Sequence, residues 1–169
     1  MTARIPVFVS APSALSSDQQ ASYDYIVELL RRENLEHRAL GRTDYGVDVP
    51  LKEVFSIARH CAGGVVLGFE QMRAERAESK MGTPVARVLN NVSIPTPWNQ
   101  LEAGILFALR LPLLIFRQPG ITGGIFDNGV SDAYVQELPI GVSEPHLATQ
   151  SEVVIKTWAG RVRENYRSY

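Results

Sequence analysis

The amino-acid sequence predicts an α/β fold: an open, mostly parallel sheet of about five strands with helices on both faces. Three observations predict it. Short apolar runs alternate along the chain with segments whose apolar residues follow helical spacing. The runs are continuous, which is typical of parallel strands buried on both faces. The chain has 169 residues, of which 45% are hydrophobic and 21% charged, so residues 1–169 have the size and apolar content of one domain.

The first half of the chain predicts three strands and two helices in alternation. Ser16, Ser17 and Asp18 offer an N-cap for the first helix, and the glycines after Ala62 end the second. Apolar residues in both helices recur every third or fourth position, which predicts one buried face on each. The predicted strands span residues 7–11, 36–40 and 65–69, and the predicted helices span residues 19–33 and 51–58.

The second half departs from this alternation before it returns to it. Residues 71–80 are heavily charged and show little apolar periodicity, which predicts a solvated helix or a mobile lid. Pro97 then opens a third helix, and Pro112 ends it. Residues 120–129 are a glycine-rich loop, and residues 139–145 are a linker-like turn. The remaining predicted elements are strands at residues 113–116 and 135–138 and a terminal helix through Val154, Trp158, Val162 and Tyr166.

Composition excludes several classes of protein and of site. The chain carries 17 Lys and Arg against 18 Asp and Glu, a formal net charge of −1, so it lacks the basic excess that nucleic-acid binding needs. The N-terminal apolar run is too short for a signal peptide or a membrane span, so we expect a cytoplasmic protein that does not bind membranes. The single Cys61 excludes an internal disulfide, and no HExxH or CxxC motif is present to seat a metal.

The predicted sheet directs attention to one of its edges. In open parallel sheets, ligands bind in a crevice beyond the carboxyl ends of the strands. The loops expected there are residues 10–13, 41–48, 69–71 and 117–124. The glycine-rich loop lacks both the lysine of a P-loop and the GxGxxG spacing of a dinucleotide fingerprint, so its glycines are expected to serve turns.

Glu102 is the most informative residue at this edge. It is the only charged side chain between Trp98 and Leu109, in a helix that is apolar nearly all round. A buried carboxylate is costly unless it is paired or faces a cavity, and the nearby helix N-terminus favours its ionised form. Glu102 is therefore a candidate catalytic carboxylate at the mouth of the crevice. The alternatives are an exposed acid, or an ion pair with an arginine such as Arg42.

Neighbouring side chains offer ways to hold a substrate. Trp98 is placed to stack on a base or a nicotinamide ring, or else to cap the helix, and the Asn99 amide suits a ribose hydroxyl. In the loop after the second strand, Arg42 suits a phosphate and Tyr45 suits the flank of a ring, although solvated loops have the same composition. The candidate substrate-binding residues are Ser10, Ala11, Arg42, Asp44, Tyr45, Phe69, Trp98 and Asn99.

The run TPWNQLEAGILFALRLPLLI, from Thr96 to Ile115, resembles the glutamate helix and following strand of the TIR and nucleoside 2-deoxyribosyltransferase-like superfamily. It looks closest to bacterial TIR-like proteins, several of which serve in antiphage defence. The order of elements agrees over most of the chain, from the first strand through the strand at residues 65–69 to the glutamate helix. The resemblance implies a single TIR-like domain with a flavodoxin-like or TIR-like fold and a functional glutamate at Glu102.

Two positions depart from the patterns of these families. Animal and plant TIR domains usually carry a Trp-Cys pair before the glutamate, whereas Trp98 is followed here by Asn99. The transferases usually carry an acidic residue soon after the third strand, and in this chain only Glu70 fills that place.

The resemblance implies cleavage of an N-glycosidic bond, in NAD+ for TIR enzymes and in deoxynucleosides for the transferases. A glutamate over a crevice suits this chemistry, because a nearby negative charge stabilises an oxocarbenium-like transition state. Our leading hypothesis is an N-glycosidase of nucleotides that hydrolyses or cyclises NAD+, with Glu102 stabilising the ribosyl carbocation and no cofactor required. One alternative is nucleoside 2-deoxyribosyl transfer or nucleoside hydrolysis, with a sugar ester on Glu102. Another is a non-catalytic module that binds a nucleotide or a signalling protein.

The segment from residue 70 to residue 94 also predicts a contact. Its second half carries apolar residues that must be buried, either on the chain's own sheet or against another subunit. By resemblance, isolated TIR-like domains often become active only when neighbours complete one another's sites, so the second option implies a homo-oligomer. The residues concerned are Val85, Val88, Leu89, Val92 and Ile94.

Overall fold

The computed structural model describes residues 4–44, 46–133, 135–141 and 145–168. The strands are β1 (Ile5–Ser10), β2 (Leu35–Arg38), β3 (Gly64–Gly68), β4 (Met72–Ser79), β5 (Arg87–Ile94), β6 (Leu113–Arg117) and β7 (Val135–Glu137). The helices are α1 (Ser17–Arg32), α2 (Pro50–Ala58), α3 (Pro97–Ala108) and α4 (Pro145–Arg167), with a 3-10 turn at Gly124–Phe126. Within these residues no helix combines the length and apolar content needed to cross a bilayer.

The predicted α/β architecture is confirmed. Five strands form one parallel sheet in the order β2-β1-β3-β6-β7, which is the flavodoxin-like order. Side chains alternate between its faces. Val65 and Leu67 join a core with residues of α1 and α4, while Val66 joins a core with residues of α2 and α3. Because both faces of the sheet are covered, the inner strands β1, β3 and β6 read in sequence as continuous apolar runs.

The predicted N-cap of α1 is confirmed. Ser16 Oγ accepts a hydrogen bond from Gln19 N at 3.2 Å, and Gln19 Oε1 accepts one from Ser16 N at 3.1 Å, which together form a capping box. The Gln19 side chain also reaches the loops after β3 and β6. Its Nε2 donates to Glu70 O at 2.9 Å and to Gln118 Oε1 at 3.0 Å. The start of α1 is thereby tied to the carboxyl edge of the sheet.

Two features fix the position of α3, the helix that carries Glu102. Thr96 caps the helix, and its Oγ1 accepts a hydrogen bond from Trp98 N at 3.3 Å. Gly64 at the start of β3 lets the helix pack close to the sheet, because a Cβ there would lie 2.6 Å from Leu106 Cδ1. The cap sets where the helix begins, and the close packing sets its distance from the sheet.

The prediction of a solvated helix or mobile lid for residues 71–80 is wrong. These residues form β4, which pairs antiparallel with β5 in a separate two-stranded sheet. Both strands are largely exposed, so neither shows the clear apolar alternation that marks a half-buried strand in sequence. Their connecting turn, residues 80–86, contains Lys80 and Gly82 at positive φ angles of 53° and 71°. We call β4, β5 and this turn the ribbon.

Two element boundaries also differ from the prediction. β2 ends at Arg38, so residues 39 and 40 already belong to the loop beyond it. α4 begins at Pro145, well before the apolar repeat that starts at Val154. The first turns of α4 carry few apolar residues, so the repeat that reveals the helix in sequence begins only where it packs on the core.

Candidate active site

A cleft of about 220 Å³ lies at the carboxyl edge of the sheet. It is formed where the chain leaves β1, β2 and β3 and where α3 begins, beside the point at which the strand order reverses. This is the edge at which α/β sheets of this order bind ligands. Among the described residues that line the cleft, Glu102 is the only ionisable one. The lining residues are Ala11, Pro12, Ser13, Leu40, Pro50, Gln71, Thr96, Trp98 and Glu102.

The Glu102 carboxyl lies in the cleft wall and is only 9% exposed. Among the described residues no cation forms an ion pair with it, so burial raises its pKa to about 7, and a hydrogen bond from Ser10 partly opposes that rise. Burial thus shifts this carboxyl toward its protonated form, in the direction opposite to the one expected from the nearby helix N-terminus. Near neutral pH the group divides between its protonated and ionised forms.

Ser10 and Asn99 lie behind Glu102, away from solvent. Asn99 is fully buried, and its Nδ2 donates to Ser10 Oγ at 2.8 Å and to Leu67 O at 3.4 Å. Because Ser10 Oγ accepts this bond, its own proton remains for the Glu102 carboxylate. Within the described part of the chain, Asn99 Oδ1 has no hydrogen-bond partner. The structure thus places both predicted residues next to the carboxylate, where they support it from behind and do not line the cleft.

Trp98 forms an exposed wall of the cleft. Its side chain is 40% exposed, and it lines the cleft together with Glu102 one helical turn further along α3. An aromatic face that is half open to solvent is suited to stacking on a planar ring. Ala11, also predicted from the sequence, lines the same cleft at the end of β1.

Arg42 lies outside the cleft lining and braces one of its walls. The guanidinium lies 4.3 Å from the centroid of the Tyr23 ring. Its Nη2 donates to Pro12 O at 2.7 Å and contacts Ser13 O at 3.5 Å. The proposed ion pair between Arg42 and Glu102 is absent from the described contacts. Arg42 Nε is buried without a hydrogen-bond partner within the described residues.

Two further candidates lie elsewhere. Asp44 accepts hydrogen bonds from Arg38 Nε at 3.0 and 2.9 Å, and this partner lowers the pKa of the Asp44 carboxyl. The Phe69 side chain is fully buried in the core that α1 and α4 cover. Neither side chain is among the described residues lining the cleft. Tyr45 lies outside the described residues.

The structure adds lining residues that the sequence did not single out. Gln71 lies in the short loop between β3 and β4, and Thr96 is the cap of α3. Gln71 lies in one of the four loops that the sequence places at this edge, whereas Thr96 lies outside them. Glu70, the acidic residue after β3, bonds away from the cleft: Arg73 Nη2 lies 2.7 Å from its carboxylate, and Ser93 Oγ donates to it. The Ser93 bond, with Arg73, lowers the pKa of Glu70.

Comparison with known proteins identifies the fold. No family model and no curated protein matches the chain. Among solved structures, a CMP N-glycosidase, BcmB, from Clostridium botulinum is 12% identical, with a TM-score of 0.54 over 88% of this chain and 98% of that one. Diflavin flavoprotein A3 from Nostoc is 12% identical, with a TM-score of 0.52 over 99% of this chain and 98% of that one.

A third similar structure is the Flv1 flavodiiron core from Synechocystis. It is 9% identical, with a TM-score of 0.52 over 96% of this chain and 36% of that one. At these identities the likeness concerns the fold alone. The chain therefore has an α/β fold of the flavodoxin-like kind, which proteins of different chemistry share, and its function has to be argued from the cleft.

Proposed function

We propose that this chain is an N-glycosidase that cleaves the bond between a base and ribose in a nucleotide, with Glu102 as its catalytic carboxylate. The observation that carries the proposal is a single buried carboxyl in the wall of the cleft, without a cation beside it among the described residues and with a pKa of about 7. Perturbed carboxyls of this kind concentrate at functional sites. The similar fold of a CMP N-glycosidase supports the same class of reaction.

The proposed reaction requires negative charge beside the sugar. The bond between C1′ and the base nitrogen breaks, its electron pair leaves with the base, and positive charge develops on C1′ and the ring oxygen. Water then adds to C1′ and loses a proton. The ionised Glu102 stabilises the developing cation, and because the carboxylate is poorly hydrated, its attraction for that cation is stronger than in bulk water.

The neighbours of Glu102 have supporting roles in this proposal. Trp98 stacks on the departing base at the open side of the cleft. Ser10 donates to the carboxylate and holds its orientation, while Asn99 fixes the Ser10 hydroxyl from behind.

NAD+ is the substrate that we propose first. Its nicotinamide ring carries a positive charge and leaves as a neutral molecule, so no general acid is needed. A cleft whose only described ionisable lining group is a carboxylate favours a cationic ring over a neutral or anionic one. Glu102 then acts twice, by attracting the ring before cleavage and by stabilising the ribosyl cation during it. The products distinguish hydrolysis from cyclisation, because only hydrolysis leaves a free hydroxyl on C1′.

A second candidate is nucleoside hydrolysis or 2-deoxyribosyl transfer. The observation that favours it is that no Lys or Arg is among the described residues lining the cleft, so a phosphate has no cationic partner there. In this reaction a Glu102 oxygen bonds to C1′ as the base leaves, and the ester passes the sugar to water or to a second base. Mass spectrometry of a quenched reaction would find the sugar mass on the peptide that contains Glu102.

Base release from a panel of substrates tests the proposal. We expect purified protein to release nicotinamide from NAD+, and chromatography of parallel reactions with CMP and with 2-deoxycytidine separates the two candidates. Release from CMP or 2-deoxycytidine alone supports an N-glycosidase and rejects NAD+ as substrate. If no base is released from any of them while calorimetry detects nucleotide binding, the chain is a binding module and the proposal is wrong.

The resemblance to bacterial TIR-like proteins leads us to propose a role in antiphage defence. This role requires the reaction. Phages should therefore form fewer plaques on cells that carry the wild-type chain than on cells that carry Glu102→Gln at an equal protein level. Equal plaque counts would contradict the role in defence. They would not bear on the reaction, which the base-release assay tests separately.

A further inference from the structure

A groove lies at the amino edge of the main sheet, the edge opposite the Glu102 cleft. It consists of two adjoining clefts at the start of β6, and Leu113, Ala133 and Arg161 line both of them. The larger cleft has a volume of about 480 Å³ and the smaller one about 230 Å³. The larger cleft lies within the range of about 300–1,000 Å³ that is typical of small-molecule sites. We call the two clefts together the amino-edge groove.

The larger cleft carries positive charge that the protein leaves unpaired. Arg110, just after α3, and Arg161, on α4, both line it. Within the described part of the chain, neither guanidinium forms an ion pair or a hydrogen bond. Asp132 also lines this cleft, so two arginines against one aspartate leave a net charge of +1 on its described ionisable groups. The groove therefore attracts an anion, whereas the Glu102 cleft favours a cation.

The end of α3 holds the backbone of Arg110 in a fixed position. Arg110 N donates to Phe107 O at 2.9 Å, and Leu111 N donates to Leu106 O at 3.1 Å, which are the two bonds of a Schellman motif. Arg110 occupies the left-handed position of this motif, with a φ of 57°. Glycine is the usual residue there, because a Cβ disfavours that conformation. The chain thus places an arginine beside the larger cleft at a position where backbone conformation alone favours glycine.

The smaller cleft presents mainly apolar surface to a ligand. Two of its polar side chains already bond within the protein, since Thr157 Oγ1 donates to Val153 O at 3.0 Å and Trp158 Nε1 donates to Pro112 O at 3.1 Å. The Val153 side chain in its wall is 61% exposed, so an apolar ligand that covers it removes apolar surface from water. A cavity of about 150 Å³ accepts benzene. The smaller cleft therefore has room for a medium-length alkyl chain.

We propose that the amino-edge groove binds a small molecule with an apolar body and one carboxylate, such as a medium-chain fatty acid. The apolar body occupies the smaller cleft, and the carboxylate accepts hydrogen bonds from Arg161, where the two clefts meet, and from Arg110 in the larger cleft. The planar guanidinium matches a carboxylate, and a net charge of +1 favours this monoanion over a doubly charged phosphate ester. This proposal is independent of the proposed reaction.

Calorimetric titration of the full chain with octanoate tests the groove. We expect a Kd at or below about 1 mM, which is within reach of a ligand with about ten non-hydrogen atoms. Octanol keeps the alkyl chain without the charge, and acetate keeps the charge without the chain, so we expect each to bind at least about tenfold more weakly. Octanoate that does not bind at about 10 mM overturns the proposal, and so does either analogue that binds as tightly as octanoate.

Substitutions test whether octanoate binds at the two arginines. Arg161→Gln and Arg110→Gln each remove one positive charge, and we expect each to raise the Kd at least about fivefold. Asp132→Asn removes the carboxylate that repels the ligand, so we expect it to lower the Kd. Arg167→Gln, at an exposed position on the same helix as Arg161, is the matched control and should leave the Kd unchanged.

Circular dichroism and thermal unfolding verify that all four variants are folded. A Kd that neither Arg161→Gln nor Arg110→Gln raises would overturn the proposal, because octanoate would then bind elsewhere. An equal rise in Arg167→Gln, or a higher Kd in Asp132→Asn, would overturn it as well, since the affinity would then not follow the charge of the groove.

Discussion

Asn99 Nδ2 donates a 2.8 Å hydrogen bond to Ser10 Oγ, and this bond determines which way the serine hydroxyl points. With its oxygen accepting from Asn99, Ser10 donates its proton to the Glu102 carboxylate. All three side chains are buried or nearly so. The buried Asn99 amide thus influences the cleft through the Ser10 hydroxyl. We call these two hydrogen bonds the relay, and the pKa of Glu102 depends on them.

Removal of the Ser10 hydroxyl is expected to raise the pKa of Glu102 further above its value of about 7, because that hydroxyl bonds to the charged form. If the ionised form is the active one, activity falls as the pH drops through this pKa. Ser10→Ala therefore moves the acid limb of the kcat/KM profile to higher pH, and Asn99→Ala moves it in the same direction. Ser56→Ala, at an exposed position on α2, should leave the profile in place. A shift of the acid limb to lower pH in Ser10→Ala would contradict the relay.

The buried carboxyl also predicts how stability depends on pH, whatever reaction the protein performs. Its pKa is about 7 in the folded state against an ordinary 4.5, so the folded state binds this proton more tightly than the unfolded state. The resulting stabilisation is complete below pH 4.5, declines as the pH rises, and is lost above about 7. Relative to the protonated form, the ionised carboxyl costs about 3 kcal/mol at high pH.

Glu102→Gln isolates this effect, because a neutral amide carries no such cost. Urea unfolding should find the variant more stable than wild type at pH 8 by an amount on the order of 3 kcal/mol. The difference in unfolding free energy between the variant and wild type should be small at pH 4.5, the ordinary pKa of the carboxyl. Glu164→Gln, at an exposed position on α4, serves as the control and should change stability little at either pH. If the difference in unfolding free energy between Glu102→Gln and wild type does not grow with pH, this carboxyl is ionised in the folded protein at little cost.

Much of this molecule could be predicted from its sequence, and the exceptions have physical causes. The continuous apolar runs identify β1, β3 and β6, which are largely buried, whereas the edge strands β2 and β7 are only partly buried and show a weaker apolar pattern. The ribbon was missed because neither of its faces is fully buried in the chain, so its pairing leaves little apolar pattern. Its apolar residues are in fact partly exposed: Val88 is 50% and Val85 60% accessible to solvent.

The candidate site could be predicted in location but not in its details. Glu102 stood out because a lone charge in an apolar helix is rare, and the structure places it in a cleft at the expected edge. Whether Asn99 faces the cleft or lies behind it depends on the rotation of α3 against β1 and β3, which helical spacing alone leaves open. Phe69 follows a strand end like a ligand-binding residue, yet it fills the core.

Trp98 tests whether the open wall of the cleft binds a ring. Loss of a stacked base is expected to weaken binding by about 1–3 kcal/mol, so Trp98→Ala should raise KM by about fivefold or more, while Trp98→Phe should retain most of the affinity. Phe107→Ala is the control, since Phe107 is an exposed aromatic of the same helix outside the cleft lining. An unchanged KM in Trp98→Ala would indicate that the Trp98 ring caps the helix and does not bind the substrate.

The proposed reaction depends most directly on the charge of Glu102 during bond cleavage. The measurement is the rate of base release from NAD+ or whichever substrate wild type cleaves, compared among wild type, Glu102→Gln and Glu164→Gln at one pH above 7. We predict that Glu102→Gln loses at least about 100-fold in rate while it remains folded, and that Glu164→Gln matches wild type. A Glu102→Gln protein that releases base at the wild-type rate would contradict the account.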